Sequence, residues 1–145
     1  MRIAIASDHA AWELKAALAE WLRGEGHEVL DLGTDGPASV DYPDFGFALG
    51  KAIAENQAER GIALCGSGIG ISIAVNRVPA ARCALVSEPL SARLARQHND
   101  ANVIAMGARL IGIEMAKACI TEFLATGFGG DRHQRRVDKL TNPAL

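Results

Sequence analysis

The chain has 145 residues, of which 49% are hydrophobic and 22% charged, and its formal net charge is −2. This composition is ordinary for one soluble domain with a real core, and the charge excludes a strongly basic surface for nucleic acid or an anionic membrane. Since the segment MRIAIASDHA lacks a signal-peptide pattern and no apolar run reaches the length of a membrane span, we expect a cytoplasmic protein with no nucleic-acid or membrane partner.

The predicted elements alternate between short apolar strands and amphipathic helices. In chain order, strand RIAIAS, helix AAWELKAALAEWLRGEG and strand HEVLDLG precede the turn-rich loop TDGPASVDYPD and helix FGFALGKAIAENQAE. Strand GIALC, helix GISIAVNRV, strand RCALVS and helix PLSARLARQHN follow. The chain ends with strand ANVIAMG, helix ARLIGIEMAKACITEFLAT and a polar tail, GDRHQRRVDKL, which we also expect to be helical. This alternation predicts one α/β domain over residues 1–145, with a parallel sheet covered by helices on both faces.

Polar and small residues follow every predicted strand. The segments are SDHAA, DLGTDG, CGSGIG, SEP and GAR. Ligands of open α/β sheets bind beyond the carboxyl ends of the strands, so we expect the functional site at this edge, with Arg109 of GAR beside it.

The segment CGSGIG places a glycine loop between a strand and a helix. Gly66, Ser67, Gly68, Ile69 and Gly70 form a stretch whose amides are suited to bind an anion. The loop lacks the lysine of a Walker motif, and its third glycine comes one residue too early for a dinucleotide fingerprint. A tight turn that binds no ligand is the alternative.

A cysteine stands directly before this loop. The positive potential of the loop amides and the helix N-terminus favours a thiolate, so Cys65 is a candidate nucleophile or proton acceptor, with a buried structural thiol as the alternative. Cys83 and Cys119 lie inside a predicted strand and an amphipathic helix, and we expect both to be structural. The cysteine spacing indicates neither a zinc site nor a disulfide framework.

Histidines and arginines supply further candidates. His9 follows the first strand, and His98 lies where a helix ends before the fifth strand, where an imidazole can act as acid and base. Arg132 and Arg136 are four residues apart in the tail, so a helix would place both on one face suited to a phosphate. A solvated charged tail is the alternative.

The motifs SDHAA, DYPD, CGSGIGISIAVNR, SEP, RQHNDANV, GAR and RHQRRV occur in this order over essentially the whole chain. In this the chain resembles the type B ribose-5-phosphate isomerases, a family that also contains isomerases of allose 6-phosphate and galactose 6-phosphate. The resemblance implies a Rossmann-like three-layer α/β/α fold with a five-stranded parallel sheet. It also implies a homodimer or dimer of dimers with shared active sites, no metal, no cofactor and a place in the pentose phosphate pathway.

The resemblance also assigns roles to individual residues. Cys65 matches the base that transfers the proton, His98 the residue that helps to open the furanose ring, and the loop 66–70 the anion hole, with Ser67 keeping the hydroxyl of a family threonine. The matched substrate contacts are Asp8, His9, Gly66, Ser67, Gly68, Ile69, Gly70, Asn99, Arg109, Arg132 and Arg136, and Tyr42 is expected to form one wall. One subgroup of the family uses a glutamate base at the position of Ile71; isoleucine cannot move a proton, so Cys65 must be the base here.

We therefore predict an aldose–ketose isomerase that converts ribose 5-phosphate to ribulose 5-phosphate through an enediolate. Three alternatives stay open. One is an isomerase of another sugar phosphate, such as allose, galactose or erythrulose phosphate; another is a non-catalytic phosphosugar-binding module; the third is an enzyme with a thiol nucleophile. The motifs leave open the size of the sugar, dimer against tetramer, and which subunit supplies each arginine.

Overall fold

The computed structural model describes residues 1–145 and contains five parallel strands. The strands are β1 (Arg2–Ser7), β2 (Glu28–Asp31), β3 (Arg60–Cys65), β4 (Cys83–Leu85) and β5 (Val103–Gly107), in the sheet order β2-β1-β3-β5-β4. The helices are α1 (Trp12–Gly24), α2 (Tyr42–Ala54), α3 (Ile69–Val75), α4 (Pro89–Asn99), α5 (Ile113–Ala125) and α6 (Arg132–Thr141). The expected Rossmann-like three-layer fold with a five-stranded parallel sheet is confirmed.

The sheet has a different apolar cluster on each face, because alternate strand residues point to opposite sides. Ile3 and Ile5 of β1 join the larger cluster, which includes buried residues of α1, α4 and α5. Ala4 and Ala6 of the same strand join the smaller cluster, which includes buried residues of α2 and α3. Both faces of the sheet are thus buried, as the continuous apolar strands predicted. No helix of the fold is long and apolar enough to span a bilayer.

The starts of two helices differ from the sequence prediction by three or more residues. Helix α2 begins at Tyr42, so the last three residues of the predicted loop are helical. Pro43 occupies the first turn, where its missing N–H costs nothing. Helix α5 begins only at Ile113, because residues 108–111 form a turn whose amides donate to carbonyls of Cys65, Gly66 and Gly107.

Strand β1 lies between β2 and β3. The crossover from β1 to β2 and the next crossover, from β2 to β3, therefore run in opposite directions along the sheet. Such a reversal leaves a crevice at the carboxyl ends of the two neighbouring strands. Asp8 follows β1 and Cys65 ends β3, so both residues lie at this crevice.

Candidate functional site

A cleft of about 590 Å³ opens at the carboxyl ends of β1 and β3. We call it the thiol cleft; its lining residues are Asp8, Tyr42, Cys65, Gly66, Ser67, Ile69, Gly70, Ile73, Arg109 and Leu110. Cys65 is only 4% exposed, yet its side chain belongs to this lining. The sequence prediction that this cysteine is near a ligand cavity agrees with its position.

The loop after Cys65 has two kinds of amide. The N–H of Gly68 donates to the Cys65 Sγ atom at 3.1 Å, and the N–H of Ile69 donates to the Ser67 Oγ atom at 3.1 Å. The amides of Gly66, Ser67 and Gly70 donate to no protein acceptor. One donor therefore fixes the sulfur, and three remain available to an oxygen in the cleft.

The loop glycines make room for protein groups. Gly68 has φ +78°, and a Cβ there would lie 2.7 Å from the backbone carbon of Met106. A Cβ on Gly70 would lie 2.5 Å from the Tyr42 ring, and one on Gly66 would lie 3.3 Å from the Arg109 guanidinium. The sequence favours the interpretation that the loop is bare so that its amides can reach a ligand. The structure adds a second reason, because the glycines also allow the loop to pack closely against the protein.

Three polar side chains complete the thiol cleft. Asp8 is 7% exposed, and its Oδ1 atom accepts the Ala10 N–H at 3.0 Å, which leaves its Oδ2 atom without a protein donor. The Tyr42 ring packs on Gly70, and the Arg109 side chain packs over Gly66. These contacts place a carboxylate, a phenol and a guanidinium around the cysteine.

A second cleft, of about 670 Å³, lies between the end of α4 and the start of α6. We call it the histidine cleft; its lining includes Gln97, His98, Thr126, Gly129, Asp131, Arg132 and His133. The His98 and His133 rings are stacked, with centroids 4.6 Å apart and planes inclined by 17°. The pKa of His133 is lowered, by local desolvation first and then by the positive charge of Arg132, His98 and Arg136. Arg136 lies one turn along α6 from Arg132 and is exposed.

Within one chain, the predicted site residues are divided between separate places. The thiol cleft and the histidine cleft have no lining residue in common. The His9 Nδ1 atom accepts the Val40 N–H at 3.1 Å, and its side chain lines a small neighbouring cavity instead of the thiol cleft. Asn99 lines a third groove, with Asn76 and Arg82. One subunit by itself therefore does not bring all the predicted site residues into one cleft.

Sequence reasoning missed two buried cations that hold the loops around these clefts. Lys15, 1% exposed, pairs with Asp31 at 2.6 Å and Asp35 at 3.0 Å, and so fixes the segment that leads to Tyr42. The sequence feature that could have revealed this buried cation is its position on the apolar stripe of the first helix, three residues before the buried Leu18.

The second buried cation is Arg96, which is 3% exposed. It donates to the Asp100 carboxylate at 2.8 Å and to the carbonyls of Ala101 and Thr126 at 2.7 and 3.2 Å. The sequence feature that could have revealed it is Asp100, four residues further along the chain, since this spacing is typical of a helical ion pair.

The other two thiols differ from Cys65 in their surroundings. Burial raises the pKa of Cys83 to about 12, and it raises the pKa of Cys119 to about 11 with a further contribution from Glu88. Neither thiol forms a thiolate at neutral pH, as expected for structural cysteines. No group of three His, Cys, Asp or Glu side chains is arranged to hold a metal ion.

The chain belongs to the ribose/galactose isomerase family, whose family model matches residues 3–140. It is 41% identical over 140 residues to ribose-5-phosphate isomerase B of Escherichia coli K12, covering 97% of this chain and 94% of that protein. Ribose-5-phosphate isomerase B of Clostridium thermocellum superposes with a TM-score of 0.96 at 45% identity, covering 97% of this chain and 95% of that one. The Thermotoga maritima ribose 5-phosphate isomerase gives a TM-score of 0.95 at 50% identity, covering 97% of both chains. These findings confirm the resemblance drawn from the motifs.

Proposed function

We propose that this protein is an aldose–ketose isomerase that interconverts ribose 5-phosphate and ribulose 5-phosphate, in the cytoplasmic pentose phosphate pathway. The observation that carries the proposal is the thiol cleft, where one loop amide fixes the Cys65 sulfur and three others are free. The names of the relatives support the choice of sugar.

Cys65, as a thiolate, takes the proton from C2 of the open-chain aldose. The electron pair of the broken C–H bond forms the C1–C2 double bond, and negative charge moves to O1. The free amides of Gly66, Ser67 and Gly70 donate to this developing oxyanion, and loss of one such donor typically costs about 3 kcal/mol of barrier. The thiol then returns the proton to C1, while the proton of the O2 hydroxyl passes to O1, so that C2 becomes the ketone carbon and O1 a hydroxyl.

The remaining two tasks are ring opening and phosphate binding, which fall to the histidine cleft. His98 exchanges a proton with the ring oxygen of the furanose, a role suited to an imidazole. Arg132 and Arg136 bind the phosphate through charge-assisted hydrogen bonds, together with Arg109 of the thiol cleft. The phosphate, remote from the reacting carbons, thereby contributes binding energy that orients them.

We propose that a homodimer unites the two clefts, with the histidine cleft of one subunit facing the thiol cleft of its partner. Support comes from the apolar side chains that rim the thiol cleft: Ile69 is 51% exposed, Ile73 55% and Leu110 68%. Clustered exposed apolar residues of this kind mark interaction surfaces, and a two-fold axis would complete two equivalent sites.

Complementation between inactive variants tests the shared site. Cys65→Ser and His98→Asn each inactivate one half, so mixed subunits form heterodimers with one intact and one doubly altered site. After unfolding and refolding together, such a mixture recovers about a quarter of wild-type activity if the site is shared. A mixture as inactive as its components places each site within one subunit.

A panel assay tests the choice of sugar. The wild-type protein is given ribose 5-phosphate and allose, galactose and erythrulose phosphates without added metal, and ketose–aldose conversion is followed for each. We expect the highest kcat/KM for ribose 5-phosphate. A higher value for another sugar assigns that isomerase activity instead, and no conversion of any sugar leaves the binding-module alternative.

A further inference from the structure

The histidine cleft contains an imidazole pair of which only His98 has been given a role. His98 lies in the last turn of α4 and is exposed, whereas His133 lies in the first turn of α6 and is half-buried. Their rings are nearly parallel, with centroids 4.6 Å apart. One face of the His98 ring is therefore covered by another ring of the same subunit, and its edges remain open.

The elements that bring the two rings together are joined by two hydrogen bonds. The N–H of Gly129 donates to the Gln97 carbonyl at 3.0 Å, and a Cβ on Gly129 would lie 3.0 Å from that same oxygen. Arg96 donates from Nε to the carbonyl of Thr126 at 3.2 Å. These two hydrogen bonds fasten the segment before α6 to the end of α4, and so hold the elements that carry the two rings together.

The charges around His133 favour its neutral form. Arg132 and Arg136 on its own helix and His98 on α4 all lower its pKa, with local desolvation as the largest cause and Asp131 in opposition. Two stacked imidazolium rings would also repel each other. The charges around the ring pair therefore favour an uncharged His133 ring against His98.

We propose that His133 is a positioning residue that fixes the plane of the His98 ring, so that a ring nitrogen of His98 points at the furanose oxygen. An exposed histidine without this neighbour would turn about its two side-chain torsions. Misplacement of a reacting group by about 1 Å can cost about a hundredfold in rate. The inference rests on the proposed role of His98 in ring opening.

The test compares a cyclic substrate with an open-chain one. Ribose 5-phosphate is mainly a furanose, whereas the shorter aldose erythrose 4-phosphate cannot form a furanose because its O4 carries the phosphate. His133→Ala should lower kcat for ribose 5-phosphate about tenfold or more, while kcat for the isomerisation of erythrose 4-phosphate changes less than twofold and KM changes little for either sugar. His133→Phe, which keeps a flat ring against His98, should restore most of the lost rate.

Gln134→Ala is the matched control, because Gln134 is exposed on the same helix turn and its side chain donates a hydrogen bond only to Asp138. It should leave both reactions unchanged, and thermal melting should show all variants folded. Equal losses for both sugars in His133→Ala, or a loss that appears only in KM, would overturn the positioning role and assign His133 to phosphate binding or general structure. Failure of His133→Phe to restore any rate would overturn the stacking argument.

His98→Ala separates this inference from the proposed function. A large loss on ribose 5-phosphate with His98→Ala and none with His133→Ala rejects only the positioning role. Unchanged turnover with His98→Ala rejects the ring-opening assignment itself. In the double variant, His133→Ala should add almost nothing to the effect of His98→Ala, since residues that act through one another are not additive.

Discussion

The thiol cleft and the histidine cleft are built in different ways. The thiol cleft is made at strand ends, where the backbone of residues 65–70 packs against that of β5, and its chemical groups are amides and one nearly buried sulfur. The histidine cleft is made from two helix ends and a connecting segment, held by one buried arginine, and its chemical groups are two imidazole rings and a guanidinium group. In the mechanism that we propose, proton transfer at carbon uses the fixed donors at the strand ends. Ring opening and phosphate binding would use the longer side chains that the helices present to a partner subunit.

The largest expected effect concerns the thiol cleft. Cys65→Ser should fold normally and lose roughly a thousandfold in kcat for ribulose 5-phosphate, since a positioned proton-transfer group typically contributes that order of rate. Steady-state kinetics and circular dichroism measure the two properties. Cys83→Ala is the control and should retain activity, because this thiol lies in another groove. Near-wild-type turnover by Cys65→Ser would show that the sulfur is not the base.

The next effect concerns the arginine that holds the histidine cleft. Arg96→Met should lower the free energy of unfolding by about 3 kcal/mol, because it leaves the buried Ala101 carbonyl and one oxygen of Asp100 without their donor. Urea denaturation measures the loss. Arg93→Met, on the exposed side of the same helix, should change stability by less than about 0.5 kcal/mol. Equal effects would mean that Arg96 contributes only helix propensity.

A smaller effect should follow from crowding at the strand end. A Cβ on Gly107 would lie 2.6 Å from the backbone of Ser67, so Gly107→Ala should destabilise the fold by about 1–3 kcal/mol and displace the loop beside Cys65. Gly112→Ala is the matched control, because no atom lies within 4 Å of its Cβ position. Thermal melting of both variants measures the destabilisation, and activity per folded molecule measures the displacement of the loop. The same melting temperature for both variants would show that the loop adjusts without cost to the added methyl group.

The smallest effect is a pH dependence of the histidine cleft. Because the pKa of His133 is lowered in the folded protein, the unfolded chain takes up a proton first as the pH falls below the ordinary imidazole value of about 6.5. Protonation then favours unfolding, so the wild type should lose more stability than His133→Phe between about pH 7 and pH 5. Melting temperatures across this range provide the comparison, and parallel curves would argue against the lowered pKa.

The two clefts also differ in how far the sequence predicted them. Strand ends are visible in the apolar runs, and parallel strands gather their carboxyl ends at one edge, so the order of the residues alone places Asp8, Cys65 and the loop 66–70 together. The side-chain contacts of His9 and Asn99 are not predictable in this way, since each depends on which neighbour fills the space beside it. The stacking of His98 on His133 is likewise invisible in the sequence, because it depends on how Gly129 docks against the end of α4.

The reason for the loop glycines was also beyond the sequence. Glycine at positions 68 and 70 is compatible with a loop that admits a ligand, and equally with a loop that packs closely against Met106 or Tyr42. Only the positions of distant residues distinguish the two cases. The motif therefore predicted the place of the cleft, and the structure adds close packing against the protein as a second reason for the glycines.

The thiol cleft and the histidine cleft have no lining residue in common, so a site shared between subunits would make the reaction rate depend on subunit association. In the dimer that we propose, a dissociated subunit holds both halves of the machinery but cannot bring them to one sugar. Specific activity would then fall on dilution below the dimer dissociation constant, and cellular enzyme abundance would govern flux more steeply than in proportion.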